Sequence, residues 1–105
     1  MHAMIDQHRA EIAELCRRYA VRRLEVFGSA ARGRDFDPAT SDADFLVEFL
    51  PDSHLSPITQ FYDLADALER LLARPVDLVE RRAIEASRNY LRRREILAGA
   101  QKIYG

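Results

Sequence analysis

Residues 26–47 read VFGSAARGRDFDPATSDADFLV, and this stretch contains the most informative pattern in the chain. An apolar run ends at Gly28-Ser29, a polar segment follows, and Asp42 and Asp44 then stand at the head of a second apolar run. Two carboxylates this close repel each other, so folding alone gives no reason to place them there. The stretch therefore predicts two strands whose ends form a site for positive charge.

The pattern of this stretch predicts a strand over residues 24–27, one helical turn over 29–33, a loop over 34–41 and a second strand over 43–50. Glycine suits the abrupt end of the first strand because it tolerates backbone angles and close approaches that other residues do not. The second strand is nearly continuously apolar, which is typical of a strand covered on both faces.

The flanking segments predict helices and further strands. Helical spacing of apolar residues predicts an amphipathic helix over 5–19. Ser56-Pro57 predicts an N-cap followed by proline at the first helical position, and the helix that follows has an apolar stripe that we expect to be core. The stripe comprises Ile58, Phe61, Leu64, Ala65, Leu68, Leu71 and Leu72.

The remaining residues predict a third strand over 76–79, a helix over 81–98 that stops at Gly99, and an edge strand over 101–104. The order of elements predicts an α/β (α+β) domain with a small mixed sheet and helices packed on it. We expect one domain spanning residues 1–105 because the chain is long enough for a single core only.

Composition limits the possible partners. The 16 basic and 17 acidic residues give a net charge of -1, which lacks the basic excess of a dedicated nucleic-acid binder, so we expect no direct nucleic-acid binding. The single cysteine, Cys16, excludes a disulfide framework and is expected to be a small buried apolar residue. No apolar run is long enough to cross a bilayer, and we expect a cytoplasmic protein.

The chemistry is carried by three aspartates and one turn. Asp42 and Asp44 are two residues apart in a predicted strand, so their carboxylates share a face and suit a hard cation such as Mg²⁺. Gly28-Ser29 ends a strand and opens a helical turn, so backbone N–H groups and the Ser29 hydroxyl can face a phosphate. Arg32 lies one turn further along.

The third strand adds Asp77, which is flanked by apolar residues in a strand suited to burial. A buried charge is costly unless it is paired or coordinated. If this strand lies beside the second, three carboxylates could hold two metal ions about 4 Å apart, an arrangement used for displacement at phosphorus. Asp77 could also accept the proton of an attacking hydroxyl.

The motif G-S-x-A-R-G, the loop, D-x-D at the head of an apolar strand and the later V-D-L-V together resemble the DNA polymerase beta-like nucleotidyltransferase superfamily. They look most like the minimal nucleotidyltransferases, and the resemblance runs from about residue 24 to residue 80. It implies a polymerase beta-like fold and ATP bound as its Mg²⁺ complex. The residues implied are Gly28 and Ser29 on the phosphates, Arg32 near the triphosphate, and Asp42, Asp44 and Asp77 on two metal ions.

The resemblance also implies a partner. Such minimal proteins are often antitoxins that inactivate a HEPN-domain ribonuclease toxin by transferring AMP to a tyrosine, which implies a HEPN toxin partner and a hetero-oligomer. Few residues follow Asp77, so we expect the acceptor to arrive on another chain.

Two other functions are compatible with the same residues. A catalytically weak or inactive protein of this fold could neutralise its partner by binding alone, because an intact motif does not establish catalysis. A transferase acting on a small molecule or an RNA end is the third reading, and it would label those acceptors with no partner protein present.

Overall fold

A computed structural model describes residues 1–33 and 42–105. The loop predicted over residues 34–41 lies outside the described residues.

The centre of the structure is a four-stranded mixed sheet. Its strands are β1 (Val21–Phe27), β2 (Ala43–Phe49), β3 (Val76–Glu80) and β4 (Gln101–Tyr104). They lie in the order β3-β2-β1-β4, with β2 parallel to β3 and β1 antiparallel to both β2 and β4. The predicted mixed sheet and the edge strand over 101–104 are thus confirmed, and β1 begins three residues earlier than predicted.

Six helices accompany the sheet in the described residues: α1 (Ala3–Gln7), α2 (Arg9–Arg18), α3 (Gly28–Arg32), α4 (Pro57–Leu72), α5 (Arg81–Glu85) and α6 (Tyr90–Gly99). Within residues 1–33 and 42–105, none of them is both long and apolar enough to span a bilayer.

The predicted helix over 5–19 is interrupted at His8, so the prediction of one continuous helix is wrong. The His8 N–H donates to the carbonyl of Ile5, three residues back, and the His8 ring nitrogen Nδ1 lies 2.8 Å from the carbonyl oxygen of Met4. This tighter turn separates α1 from α2.

The α4 helix begins as predicted: the Ser56 hydroxyl accepts a hydrogen bond from the Thr59 N–H at 3.5 Å, and Pro57 is the first helical residue. The prediction that its whole apolar stripe is core is wrong at Ile58, which is 71% exposed. Gln60 is buried instead, and its side-chain amide donates to the carbonyl of Tyr19 at 2.8 Å. In the first turn of α4, the buried position is therefore occupied by Gln60 and not by Ile58.

The single helix predicted over 81–98 is also divided. Residues 86–89 separate α5 from α6, and the Asn89 side chain caps α6 by accepting from the Arg92 N–H at 3.1 Å. Gly99 is the last residue of α6 rather than the residue after it. An internal cap is thus the reason that the helical pattern breaks.

The sheet has two faces of different character. We call the side that carries Leu24, Val26, Phe45 and Val47 the packed face, because it is buried together with residues of α2 and α4 such as Ile12, Cys16, Leu64 and Leu68. The opposite side, the site face, carries Phe27 and Leu46 in a smaller cluster with Ile84 of α5 and Ile96 of α6. Strand residues alternate between these two faces.

Candidate functional site

Strand register brings two of the predicted carboxylates together on the site face. Asp44 of β2 is paired with Asp77 of β3 on one side and with Phe27 of β1 on the other. Phe27 is the last residue of β1, so the turn that begins at Gly28 opens directly beside Asp44. The glycine turn after β1 and the D-x-D motif at the start of β2 thus meet at one end of these strands.

Gly28 and Asp44 are in close contact. Gly28 has a φ of +68°, and a Cβ atom at this position would lie 2.5 Å from Asp44 Oδ2. An L side chain is strained at this φ and would collide with the carboxylate. Only glycine therefore lets the aspartate approach the start of α3 this closely.

The electrostatics of the site centre on Asp44. Partial burial and the neighbouring charges of Asp77 and Asp42 raise the pKa of Asp44 from 3.8 to about 6, and Arg32 opposes this rise. Like charges disfavour the ionised carboxylate, whereas a nearby cation favours it. The charges of Asp42, Asp77 and Arg32 are thus close enough to Asp44 to influence its ionisation.

Contacts from both chain ends hold α3 in place. The His2 N–H donates to the carbonyl of Ala30 at 2.8 Å, and the Gln101 side chain of β4 donates to the carbonyl of Ala31 at 3.1 Å. Gly33 closes the helix in the left-handed region, with its N–H bonded to the carbonyl of Ser29. These bonds satisfy carbonyls that a helix C-terminus leaves open.

Two sequence expectations about the aspartates need correction. Asp42 lies one residue before β2, so strand alternation does not establish that its carboxylate shares a face with that of Asp44. Asp77 is exposed, so the argument that its charge is buried in the third strand is wrong. The reason is that β3 is an edge strand and Asp77 points to the site face, whereas the buried Leu78 points to the packed face.

The carboxylates suit a cation by their chemistry. Hard divalent ions take oxygen ligands, and Asp42, Asp44 and Asp77 supply carboxylate oxygens. Within residues 1–33 and 42–105, however, no group of three His, Cys, Asp or Glu side chains converges closely enough to hold a metal ion. Mutual repulsion between the carboxylates opposes such convergence. The prediction of two metal ions stays a prediction.

One charged residue of the site face was missed from the sequence. Glu25 is only 4% exposed and is paired with Leu46, so it lies on the same face as Asp44, one strand repeat away. Its carboxylate receives hydrogen bonds from Arg81 and from Arg23. An acidic residue between Leu24 and Val26 was the available signal, but its partly buried partner Arg81 is distant in sequence.

Cys16 of α2 is fully buried in the core beside the packed face, as predicted. Burial raises the pKa of its thiol to about 12, so the thiol stays protonated and acts as a small apolar side chain.

Comparison with known proteins identifies relatives over most of the chain. The nucleotidyltransferase domain family matches residues 9–103. A Methanocaldococcus jannaschii protein named as a protein adenylyltransferase is 36% identical over 83 residues, covering 77% of this chain and 85% of that protein. Protein adenylyltransferase MntA of Thermococcus cleftensis is 33% identical over 86 residues, covering 82% of this chain and 79% of the relative.

Solved structures show the same fold. A minimal nucleotidyltransferase superposes with a TM-score of 0.72 at 32% identity, covering 96% of this chain and 95% of that one. A toxin-antitoxin complex with AMP-PNP gives a TM-score of 0.64 at 23% identity, covering 92% and 73%. A tri-AMPylated Shewanella oneidensis HEPN toxin in complex with an MNT antitoxin gives 0.60 at 20%, covering 95% and 71%. The predicted fold class and the resemblance to minimal nucleotidyltransferases are confirmed.

Proposed function

The chain belongs to the nucleotidyltransferase domain family, and from this premise we propose that it transfers AMP from ATP to a tyrosine hydroxyl of a HEPN-domain toxin, acting as the antitoxin of the pair. The observation that carries the proposal is the contact of Gly28 with Asp44, beside Asp77. It joins a turn suited to phosphate with carboxylates suited to a cation, and a metal-bound nucleotide needs both.

In the proposed reaction, the tyrosine oxygen forms a bond to the α-phosphorus of ATP. The bond from that phosphorus to the oxygen bridging to the β-phosphate breaks, and pyrophosphate leaves. Asp77 accepts the proton of the hydroxyl, a role that its exposed position on an edge strand permits. Gly28 and Ser29 contact the phosphates, and Arg32 adds positive charge beside them.

We propose Asp42, Asp44 and Asp77 as the residues that hold Mg²⁺, with two ions bound. The close approach of the Asp44 carboxylate to the turn at Gly28 supports this assignment, as does the purely oxygen donor set. The bound ions would supply positive charge that stabilises the transferring phosphoryl group.

The partner is proposed from the relatives. Two similar proteins bear the name protein adenylyltransferase, and a structural neighbour is an antitoxin in complex with an AMPylated HEPN toxin. We infer a HEPN-domain partner, a hetero-oligomer and a cytoplasmic reaction. The cytoplasm supplies ATP and keeps a lone thiol such as Cys16 reduced.

The test is AMP transfer from labelled ATP to a candidate HEPN-domain partner protein. We expect Asp44→Asn to reduce transfer at least about 100-fold, because it removes one carboxylate charge from the site. Asp63→Asn, an exposed substitution on α4, is the matched control and should leave transfer unchanged. EDTA should abolish transfer by the wild type.

The same variants separate catalysis from simple occlusion. If Asp44→Asn fails to transfer AMP yet silences the partner as well as the wild type, the protein neutralises by binding and the proposed function is wrong. AMP incorporation into a small molecule or an RNA end, with none into the partner, would instead support the third reading.

A further inference from the structure

Glu25 is a buried carboxylate that the proposed reaction does not use. It lies in β1 between Leu24 and Val26, and it is 4% exposed. An ionised carboxylate in such a place is strongly destabilising unless partners compensate its charge and its hydrogen bonds.

Two arginines provide this compensation. Arg81 Nη1 donates to Glu25 Oε1, and the Arg81 side chain is itself only 20% exposed. Arg23 Nη2 donates to Oε2 at a longer 3.3 Å, and Arg23 Nε is buried with no partner among the described residues. The contact with Arg81 is therefore the closer and more deeply buried of the two.

The Glu25–Arg81 pair spans the sheet beside the site. Glu25 is paired with Leu46, and Leu46 with Val79, so these three residues form the row next to Phe27, Asp44 and Asp77. Successive rows on one face are about 7 Å apart along the strands. Arg81 is the first residue of α5 and follows β3 directly, so the ion pair reaches from β1 over β2 to the end of β3.

We propose that Glu25 and Arg81 are positioning residues, whose buried ion pair fixes the strand leading into Gly28 and Ser29 relative to the strand that carries Asp77. This inference rests on the proposed nucleotide site. The turn at Gly28 follows β1 and Asp77 lies on β3, with only β2 between these strands. A small shift of either strand therefore changes the distance between the turn and the Asp77 carboxylate, which the nucleotide has to span. Arg81 also neutralises Glu25, so that the carboxylate adds no net negative charge beside the three aspartates.

A contribution to folding stability does not by itself explain the presence of the Glu25–Arg81 ion pair. Replacing a buried ion pair with apolar side chains of similar volume is often neutral or stabilising, whereas removing one partner leaves an uncompensated charge. A double apolar variant therefore separates the two roles, because it keeps the packing and removes the directional contact.

The experiment compares the wild type with Glu25→Met/Arg81→Met by calorimetric titration of AMP-PNP with Mg²⁺ and by thermal unfolding. We expect the double variant to unfold at or above the wild-type temperature but to bind the nucleotide at least fivefold more weakly. Glu14→Met/Arg17→Met is the matched control, because it removes an exposed ion pair of α2 with an N–O distance of 2.8 Å. Its nucleotide affinity should equal that of the wild type.

Equal nucleotide affinity in the double variant and the wild type would overturn the positioning role. If the double variant does not fold, Glu25→Gln decides, since it keeps the shape and removes the charge. We then expect binding at least threefold weaker than the wild type, and unchanged binding would overturn the proposal. No binding by the wild type would overturn the proposed nucleotide site itself, so the two failures are distinguishable.

Discussion

The two faces of the sheet are made from alternate residues of the same strands, yet they have different properties. The packed face is apolar and lies with α2 and α4 in the larger core. The site face combines a small apolar cluster with the charged residues Glu25, Asp44 and Asp77. The residues of the main core therefore lie on the packed face, and the candidate site residues Asp44 and Asp77 lie on the site face.

Phe45 and Asp44 illustrate this difference within two neighbouring residues. Phe45 is fully buried on the packed face, where it removes a large apolar surface from water. Asp44 lies on the site face, where partial burial and two other aspartates disfavour its charged form. Residues that serve a site can thus oppose folding, and the packed face has to compensate for them.

Truncating a core side chain of the packed face should have the largest effect on the free energy of unfolding. We expect Phe45→Ala to lower the free energy of unfolding by about 3–5 kcal/mol, because it leaves a cavity in a closely packed core. Urea denaturation measures this change. A loss below about 1 kcal/mol would contradict the assignment of Phe45 to the main core.

Removing the charge of Asp44 from the site face should instead increase the stability of the protein. Because the folded-state pKa of Asp44 is about 6 and its ordinary value is 3.8, the folded protein holds a proton between these pH values that the unfolded chain releases. Stability conferred by the protonated form is present at about pH 4 and is lost as the pH rises through 6. We expect Asp44→Asn, which cannot ionise, to be more stable than the wild type at pH 7.5.

The expected gain is about 1–2 kcal/mol, which is less than the full pKa shift implies because Asp44 is only partly buried. The gain should vanish near pH 4, where the wild-type carboxyl is also neutral. Thermal unfolding of both proteins from pH 4 to 7.5 tests this, with the exposed Asp63→Asn as control. A stability difference that stays constant from pH 4 to 7.5 would contradict ionisation of Asp44 as its cause.

The smallest effect should come from Ile58, which sequence periodicity assigns to the core but which is exposed. We expect Ile58→Ser to change the free energy of unfolding by no more than about 0.5 kcal/mol. Leu64→Ala, in the buried part of the same stripe, should cost about 2–5 kcal/mol. Similar losses for both variants would show that periodicity, and not the observed burial, describes α4 correctly.

Much of the local structure follows from patterns a few residues long. Ser56-Pro57 marks the start of α4, and the apolar runs locate β2 and β3 to within a residue of their observed ends. These signals depend on backbone angles, capping and periodicity, which neighbouring residues determine. The interruption at His8 is also local, but the contacts of its N–H and ring with the carbonyls of Ile5 and Met4 leave no pattern in the sequence that predicts it.

The candidate site could be assembled from the sequence because its residues lie at strand ends. Gly28, Ser29, Asp42 and Asp44 stand where strand and turn patterns meet, and V-D-L-V places Asp77 on a strand. What remained open was whether β3 lies beside β2, which depends on pairing between distant segments. The observed pairing of Asp44 with Asp77 answers this question.

Short-range patterns and side-chain type were sufficient to predict the kinds of elements, the mixed α/β class and the residues available for chemistry. Three features became evident only in the folded chain: Gly28 touches Asp44, Ile58 is exposed while Gln60 is buried, and Glu25 is paired with Arg81. The physical reason is that burial and charge pairing depend on which distant segments meet, and no local pattern encodes that meeting.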